Sequence, residues 1–489
     1  VLTRRTLLAG ALAPRRRPNF LFILADDHAG YALGCDGDPL AHTPNLDRLA
    51  AEGTRFARHY CNAPVCTPSR QSFFTGQMPH MAGVTRLPTP LSEEKPTLAK
   101  QFRRAGYRTA VFGKMHFNRP GTPGLHGFEH LLTERELQQE WMRQVKPREL
   151  PAEIRTKPPW RPFKDPASIW LNAGKLPYPR YEEEMKGRFL ARQAVRYLEE
   201  LKDQPFALWV SFQEPHSPFD FPVEDRGRLD PKRCPLPRTG PEDAWQIPII
   251  FRELTDDQKR GINAAYRTSV AFLDRNIGRV LEVLRRLRLD EDTVIIYMAD
   301  HGYNLGHHGR FEKHCGYDPA LRVPLIMRLP GRIRQGIVQD MTEHIDVPAT
   351  IVDLMGLDPL PVMHGRSLRP YLEGRRIAGR DHIFSEYLEN EEAFVRTERH
   401  KYIFCSGKRA RTDGYLVDNP TPGRYHRLYD LEADPGEFTD VAAGHSRVVE
   451  RMQTLMLERF RRTHPDAESE PQRLSREESL EWYLRPRDA

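Results

Sequence analysis

Six cysteines in 489 residues, at positions 35, 61, 66, 234, 315 and 405, are too few and too irregularly spaced for a disulfide scaffold. The fold must therefore rest on a hydrophobic core, with individual disulfide pairs left open. No apolar run approaches the roughly 20 residues that cross a bilayer, which argues against a membrane span. There is also no basic block beyond Arg15 to Arg17: 74 basic residues are scattered among 67 acidic ones. The net charge of +7 and the pI of about 9.0 thus describe a mixed-charge surface rather than a nucleic-acid-binding face. A modest positive excess still raises the local concentration of anions within a Debye length of about 8 Å. No internal repeat organises the chain.

What is present is enough apolar residue, 39% of a long chain, for a large domain and a smaller one. Short runs rich in β-branched and aromatic residues alternate with helical patterns through the first three quarters, which predicts an α/β fold with a largely parallel sheet between helices. The runs are Asn19–Ala25, Arg108–Phe112, Phe206–Phe212 and Thr293–Ala299. Residues 18–375 are read as the large domain. From 376 to 489 the pattern changes to short strands, including His382–Tyr387 and Tyr402–Phe404, and a final helix over about 446–463. A small antiparallel sheet with one covering helix is expected there, with Val449, Met452, Met456 and Phe460 as its core-facing stripe. The stretch from 117 to 205, rich in proline and charge and holding Trp141, Trp160 and Trp170, reads as a long excursion with little regular structure before a helix near 182–200. It either shapes a pocket or simply covers the surface; with the segment 217–260 and the C-terminal domain, it is expected to wall the site. At the start, Arg4-Arg5 followed by small apolar residues and Ala11-Leu12-Ala13 resembles a twin-arginine export signal over residues 1–13, which implies export to the bacterial periplasm or beyond.

Each of the four strand runs is followed by residues able to do chemistry: Asp26 and Asp27, then Lys114 and His116, then His216, then Asp300 and His301. In open α/β sheets ligands bind beyond the carboxyl ends of the strands, so the pattern predicts one shared crevice. Adjacent carboxylates repel unless a cation separates them, although such pairs also serve as turn or helix caps. Asp300 and His301 at a second strand end strengthen the cation reading. Three carboxylates with one imidazole suit calcium, with magnesium or manganese as alternatives, better than structural zinc. The segment Cys66-Thr67-Pro68-Ser69-Arg70 predicts a loop entering a helix, whose free N–H groups seat an anion, with Arg70 as a forked donor. A buried cysteine before an ordinary helix is the plainer alternative; likewise Lys114 and Lys313 read as surface lysines, and His116 and His216 as loop histidines, when each is taken alone.

That pentapeptide and its continuation Thr75-Gly76 resemble the signature of the type I sulfatases, members of the alkaline-phosphatase-like superfamily whose cysteine becomes formylglycine. The similarity extends in order through Leu24–Asp27, Thr43–Ala50, Gly113-Lys114, Pro215-His216, Ala299–Gly302, Leu428–Leu431 and Asp434-Pro435. The spacing from Asp300 to Lys313 is similar to that of iduronate 2-sulfatase-like members, and His301 marks a subgroup, since other members carry asparagine there.

The resemblance implies that Asp26, Asp27, Asp300, His301 and modified Cys66 ligate one divalent metal, and that Arg70, Lys114, His116, His216 and Lys313 surround a sulfate group. It implies a sulfated small molecule or glycan as substrate and a formylglycine-generating maturation enzyme as partner. One hydroxyl of the hydrated aldehyde would attack sulfur, His216 with Lys313 would protonate the leaving alcohol, and His116 would help release sulfate. A phosphonate monoester or phosphodiester hydrolase is the nearest alternative; a non-catalytic calcium-dependent binder of sulfated glycans is the remote one, opposed by the full set of candidate catalytic residues.

Overall fold

The computed structural model describes residues 17–118, 125–156, 161–162, 170–241, 243, 246–408, 414–417 and 424–488. The leader expected over residues 1–13 and Trp160 lie outside them. The main sheet has eight strands: β1 (Asn19–Ala25), β2 (Thr54–Phe56), β3 (Arg108–Gly113), β4 (His130–Leu132), β5 (Phe206–Ser211), β6 (Thr293–Ala299), β7 (Leu325–Arg328) and β8 (Gly336–Val338). Their order is β8-β2-β7-β6-β1-β5-β3-β4. Strands β6, β1, β5, β3 and β4 are parallel, and β7 runs antiparallel to both β6 and β2.

The central strands β1, β5 and β6 are mostly apolar and buried at every position because helices cover both faces, as buried parallel sheets require. On β1, Leu21, Ile23 and Ala25 face one core, which also takes residues of α1 (Pro44–Glu52), α5 (Lys186–Glu200) and α6 (Asp256–Arg286). The alternate residues Phe20, Phe22 and Leu24 face the other, shared with α2 (Cys66–Thr75), α3 (Leu98–Arg104) and α7 (Asp346–Met355). A one-residue slip in β1 would exchange the two sets, so the register is strongly determined. That register pairs Ala25 with Ala299 and aligns Ser211 with both Leu24 and Gly113, so β1, β3, β5 and β6 end level with one another.

The expected excursion contains a helix that its composition conceals, α4 (Glu134–Gln144), which buries only Leu137 and Trp141. Among its tryptophans, Trp141 is buried and Trp170 exposed. After the main sheet, β9 (His382–Tyr387), β10 (Glu392–Thr397), β11 (His400–Cys405) and β12 (Tyr425–Asp430) form an antiparallel meander. Helix α8 (Ser446–Thr463) lays Val449, Met452, Met456 and Phe460 against Phe384, Val395, Tyr402 and Phe404. A second, shorter helix follows, α9 (Arg476–Tyr483), started by a reciprocal capping box between Ser475 and Glu478. Arg459 of α8 donates to Glu343, 3.0 Å away in the main body, which fastens the meander region to it.

Candidate active site

The level strand ends bring the four polar segments together. Asp26 and Asp27 follow β1, Asp300 and His301 follow β6, and the Asp27 N–H donates to Asp300 Oδ1 at 3.2 Å. Helix α2 starts at Cys66 and points its N-terminus, with free N–H groups and a partial positive charge, toward this meeting point. Every residue of α2 is buried, and Gly76 ends it in a left-handed conformation that suits glycine. Cys66 Sγ lies 3.1 Å from His301 Nε2, 3.5 Å from Asp26 Oδ1, 3.4 Å from Lys313 Nζ and 3.7 Å from Lys114 Nζ. Burial, then the Asp26 charge, pushes the thiol up to about 12. An unmodified cysteine here is therefore a poor nucleophile at neutral pH.

All ten residues singled out in the sequence gather here, but they divide into layers. Lys114 pairs with Asp26, and Lys313 Nζ lies 2.7 Å from Asp27 Oδ1. Arg70 is fully buried and does not turn a free fork outward. Its Nε donates to Asp300 Oδ2 at 2.9 Å, and its Nη1 to Ser211 Oγ at 2.8 Å and to the Lys114 carbonyl. Only Nη2 is left without a hydrogen-bond partner, 3.8 Å from Asp26 Oδ2. The guanidinium therefore braces two strand-end carboxylates, a geometry that the expected forked contact with an anion does not describe.

The histidine tautomers follow from their partners. His216 Nδ1 faces the Ser217 carbonyl at 2.7 Å, so it carries the proton and leaves Nε2 toward the site, 3.8 Å from Asp27 Oδ2. The Thr67 hydroxyl donates to the Leu87 carbonyl at 2.8 Å, so at 3.2 Å it accepts from His116 Nδ1, and His116 Nε2 holds the lone pair. His301 Nδ1 faces the Gly302 carbonyl at 3.1 Å, which turns its Nε2 lone pair toward Cys66. Burial, reinforced by Lys114 and Arg70, holds His116 well below its ordinary range. Burial, with Lys114 and Lys313 opposing the upward pull of Asp27, brings His216 to about 4.

The carboxylates, with Cys66 and His301, form a candidate cation site. Burial raises Asp26, but Lys114, His216 and Arg70 outweigh it and hold Asp26 well below the carboxylate range. Burial likewise opposes ionisation of Asp27, yet Lys313, His216 and His301 bring it below its ordinary value. Burial and the Asp26 charge push Asp300 upward. Ligand atoms of Asp26, Cys66, Asp300 and His301 lie within 4.8 Å of one another, and so do those of Asp26, Asp27, Cys66 and His216. Asp27 Oδ2 is buried without a hydrogen-bond partner. An oxygen-seeking divalent ion fits this donor set, because it satisfies the idle oxygen and relieves the repulsion among three carboxylates.

Several contributors lay outside the sequence expectations. Ser211 and Thr67 position Arg70 and His116, and Glu134 Oε1 accepts the N–H groups of Met115 and His116, each at 2.6 Å. A cavity of about 370 Å³ opens from Lys114, His116 and Ser211 between α4 and α5. The excursion thus walls the site, and residues 217–260 contribute Asp220 to a smaller adjoining cavity. Among the described residues, the meander region lines neither. All six cysteines are free thiols, Cys66 among them.

Comparison with known proteins agrees with this geometry. The family profile "Sulfatase" matches residues 18–357, and "N-sulphoglucosamine sulphohydrolase, C-terminal" matches residues 306–463. The choline-sulfatase of Rhizobium meliloti is 29% identical over 96% of this chain and 91% of its own length. Mouse (Mus musculus) iduronate 2-sulfatase is 30% identical over 64% of this chain and 60% of its own length. Among solved structures, the phosphonate monoester hydrolase of Agrobacterium radiobacter superposes with a TM-score of 0.75 at 26% identity, covering 93% of this chain and 97% of that one. The fold is that of the alkaline-phosphatase-like enzymes, and the chain belongs to the sulfatase family.

Proposed function

We propose that this enzyme hydrolyses a sulfate monoester to an alcohol and inorganic sulfate, using formylglycine at position 66 and one divalent cation, calcium by preference. The observation that carries the proposal is the position of Cys66 Sγ, which marks where the hydroxyls of a hydrated aldehyde would stand: at a helix N-terminus, against Asp26, His301 and two lysines. In that state the cation supplies charge neutralisation and hydroxyl acidity, and residue 66 supplies the attacking oxygen.

Asp26, Asp27, Asp300 and His301 are the residues that would hold the cation. Lys114 and Lys313 set two ammonium groups beside position 66, where they offset charge on the sulfate oxygens. Arg70 keeps Asp26 and Asp300 in place and leaves its Nη2 amino group for the cluster. His116, neutral with its lone pair on Nε2, is suited to accept a proton at the residue-66 end. His216 is suited to protonate the departing alcohol oxygen through Nε2; the negative charge of a bound sulfate offsets the two lysines that lower its proton affinity. A twin-arginine leader would carry the folded enzyme out of the cytoplasm, after a maturation enzyme has acted on Cys66.

The test is the mass of the Cys66 peptide from protein made in its native host, together with turnover of 4-nitrophenyl sulfate. Aldehyde at position 66, with sustained turnover that Cys66→Ser abolishes, supports the mechanism; sustained turnover by the serine variant refutes it. The Agrobacterium structure favours a second reading, a phosphonate monoester or phosphodiester hydrolase. Matched aryl sulfate, aryl phosphonate and aryl phosphodiester substrates separate the two by their kcat/KM ratios.

A further inference from the structure

Beyond Lys114 and His116, the cavity beside the cluster is walled by groups that the mechanism does not use. Gln138, Lys186, Gln213 and Glu214 line both this cavity and the smaller one of about 80 Å³, which adds Asp220 and reaches His216. Glu214 is only 6% exposed, yet its Oε2 has no hydrogen-bond partner. A buried carboxylate oxygen without a partner is costly and points to a missing ligand. The carboxylate itself is seated against Gly187: a Cβ on residue 187 would lie 2.5 Å from Glu214 Oε1 and 2.9 Å from Oε2, so glycine makes room for the carboxylate on this wall.

Lys186 donates to Gln213 Oε1 and interacts with the charges of both Glu214 and Asp220. Burial, then the Glu214 charge, pushes Asp220 up to about 7, so near neutrality this carboxyl donates as readily as it accepts. An aryl or alkyl group would leave these atoms unsatisfied, and an ammonium group would pair with Glu214 or Asp220 only against the repulsion of Lys186 and Lys114. Vicinal hydroxyls, which donate and accept at once, match them. The larger cavity falls within the roughly 300–1,000 Å³ of small-molecule sites.

We propose that Glu214, with Lys186 and Asp220, is the specificity-determining subsite for the alcohol half of the ester, and that it takes a polyhydroxylated ring, the sugar of a sulfated saccharide. The proposal rests on the sulfatase reading of the same site. Its test uses full-length enzyme with the residue-66 aldehyde verified by mass, 4-nitrophenyl sulfate, an alkylammonium sulfate ester, and a panel of hexose, hexosamine and hexuronate monosulfates. The wild type is expected to favour at least one sugar sulfate over 4-nitrophenyl sulfate by 100-fold or more in kcat/KM. Glu214→Gln is expected to narrow that preference at least tenfold, mainly through KM, with Asp220→Asn acting in the same direction. Preference for the aryl or alkylammonium ester overturns the proposal, as does an equal fractional loss on every substrate or an unchanged preference in both variants. Aldehyde-bearing wild type that turns over no sulfate ester refutes the sulfatase reading itself, an outcome distinct from retained aryl sulfatase activity without sugar preference.

Discussion

Replacing His216 with alanine separates proton donation from the other tasks of the site. The imidazole hydrogen-bonds through Nδ1 to the Ser217 carbonyl at 2.7 Å and directs Nε2 into the cluster. Its side chain is 25% exposed, so truncation opens solvent-accessible space rather than a sealed void, and its cost to folding is about 1 kcal/mol. A positioned general acid contributes roughly 10²–10⁴-fold when the leaving group needs a proton. A sugar or alkyl alcohol needs one, whereas 4-nitrophenolate departs without it. His216→Ala should therefore lose about 10²–10⁴ in kcat on a sugar sulfate and less than about tenfold on 4-nitrophenyl sulfate. The 3.8 Å contact between the neutral ring and Asp27 adds little charge stabilisation that both substrates would share. The assay is kcat across a leaving-group series, with aldehyde occupancy at position 66 held equal. Equal losses on good and poor leaving groups would show that the ring positions Asp27 or the sulfate, and would refute its role as the acid.

Two further outcomes follow from the charges. Exhaustive chelation should abolish turnover, and calcium, or magnesium or manganese, should restore it and raise Tm; an ion at 100 times its Kd stabilises the fold by about 2.7 kcal/mol. Full activity after chelation would remove the cation from the account. Glu343 is a buried carboxylate away from the active site: burial raises its proton affinity, but Arg380 and Arg459 outweigh burial and lower it. With a depressed folded-state pKa, its stabilisation is complete above the ordinary glutamate value of about 4.3 and is lost as pH falls through the folded value. Glu343→Gln should cost about 3 kcal/mol at pH 7, where it strands Arg459, and the Tm gap to wild type should narrow below about pH 4. An equal gap at pH 7 and pH 3 would contradict this assignment.

The parts of the site legible in the sequence are those where a buried strand ends in polar residues. Asn19–Ala25 and Thr293–Ala299 are apolar after their first residue and buried at every position, and the level register of such strands places Asp26, Asp27, Asp300 and His301 side by side. Helix α8 was equally readable, because Val449, Met452, Met456 and Phe460 repeat at helical spacing. Helix α4 was not: within an otherwise polar segment only Leu137 and Trp141 are buried, too thin a stripe to register as a period. Glu214, Lys186 and Asp220 escape notice because each is an ordinary charged residue until the fold brings α5 and the loop after β5 to one wall. The orientation of Arg70 depends on Ser211 and the Lys114 carbonyl, partners more than forty positions away.

Cys66 is only 2% exposed, enclosed by α2 and the strand-end residues. A catalyst that must grip and oxidise this thiol has no route to it in the finished fold without dismantling the centre. On the proposed mechanism, conversion of residue 66 would therefore have to occur while the segment is still an accessible chain, and folding would then seal it in. Two populations made from one gene, aldehyde-bearing and thiol-bearing, would share nearly the same architecture and differ in competence. A shortage of maturation capacity would appear as a lower fraction of working molecules, with the turnover of each working molecule unchanged.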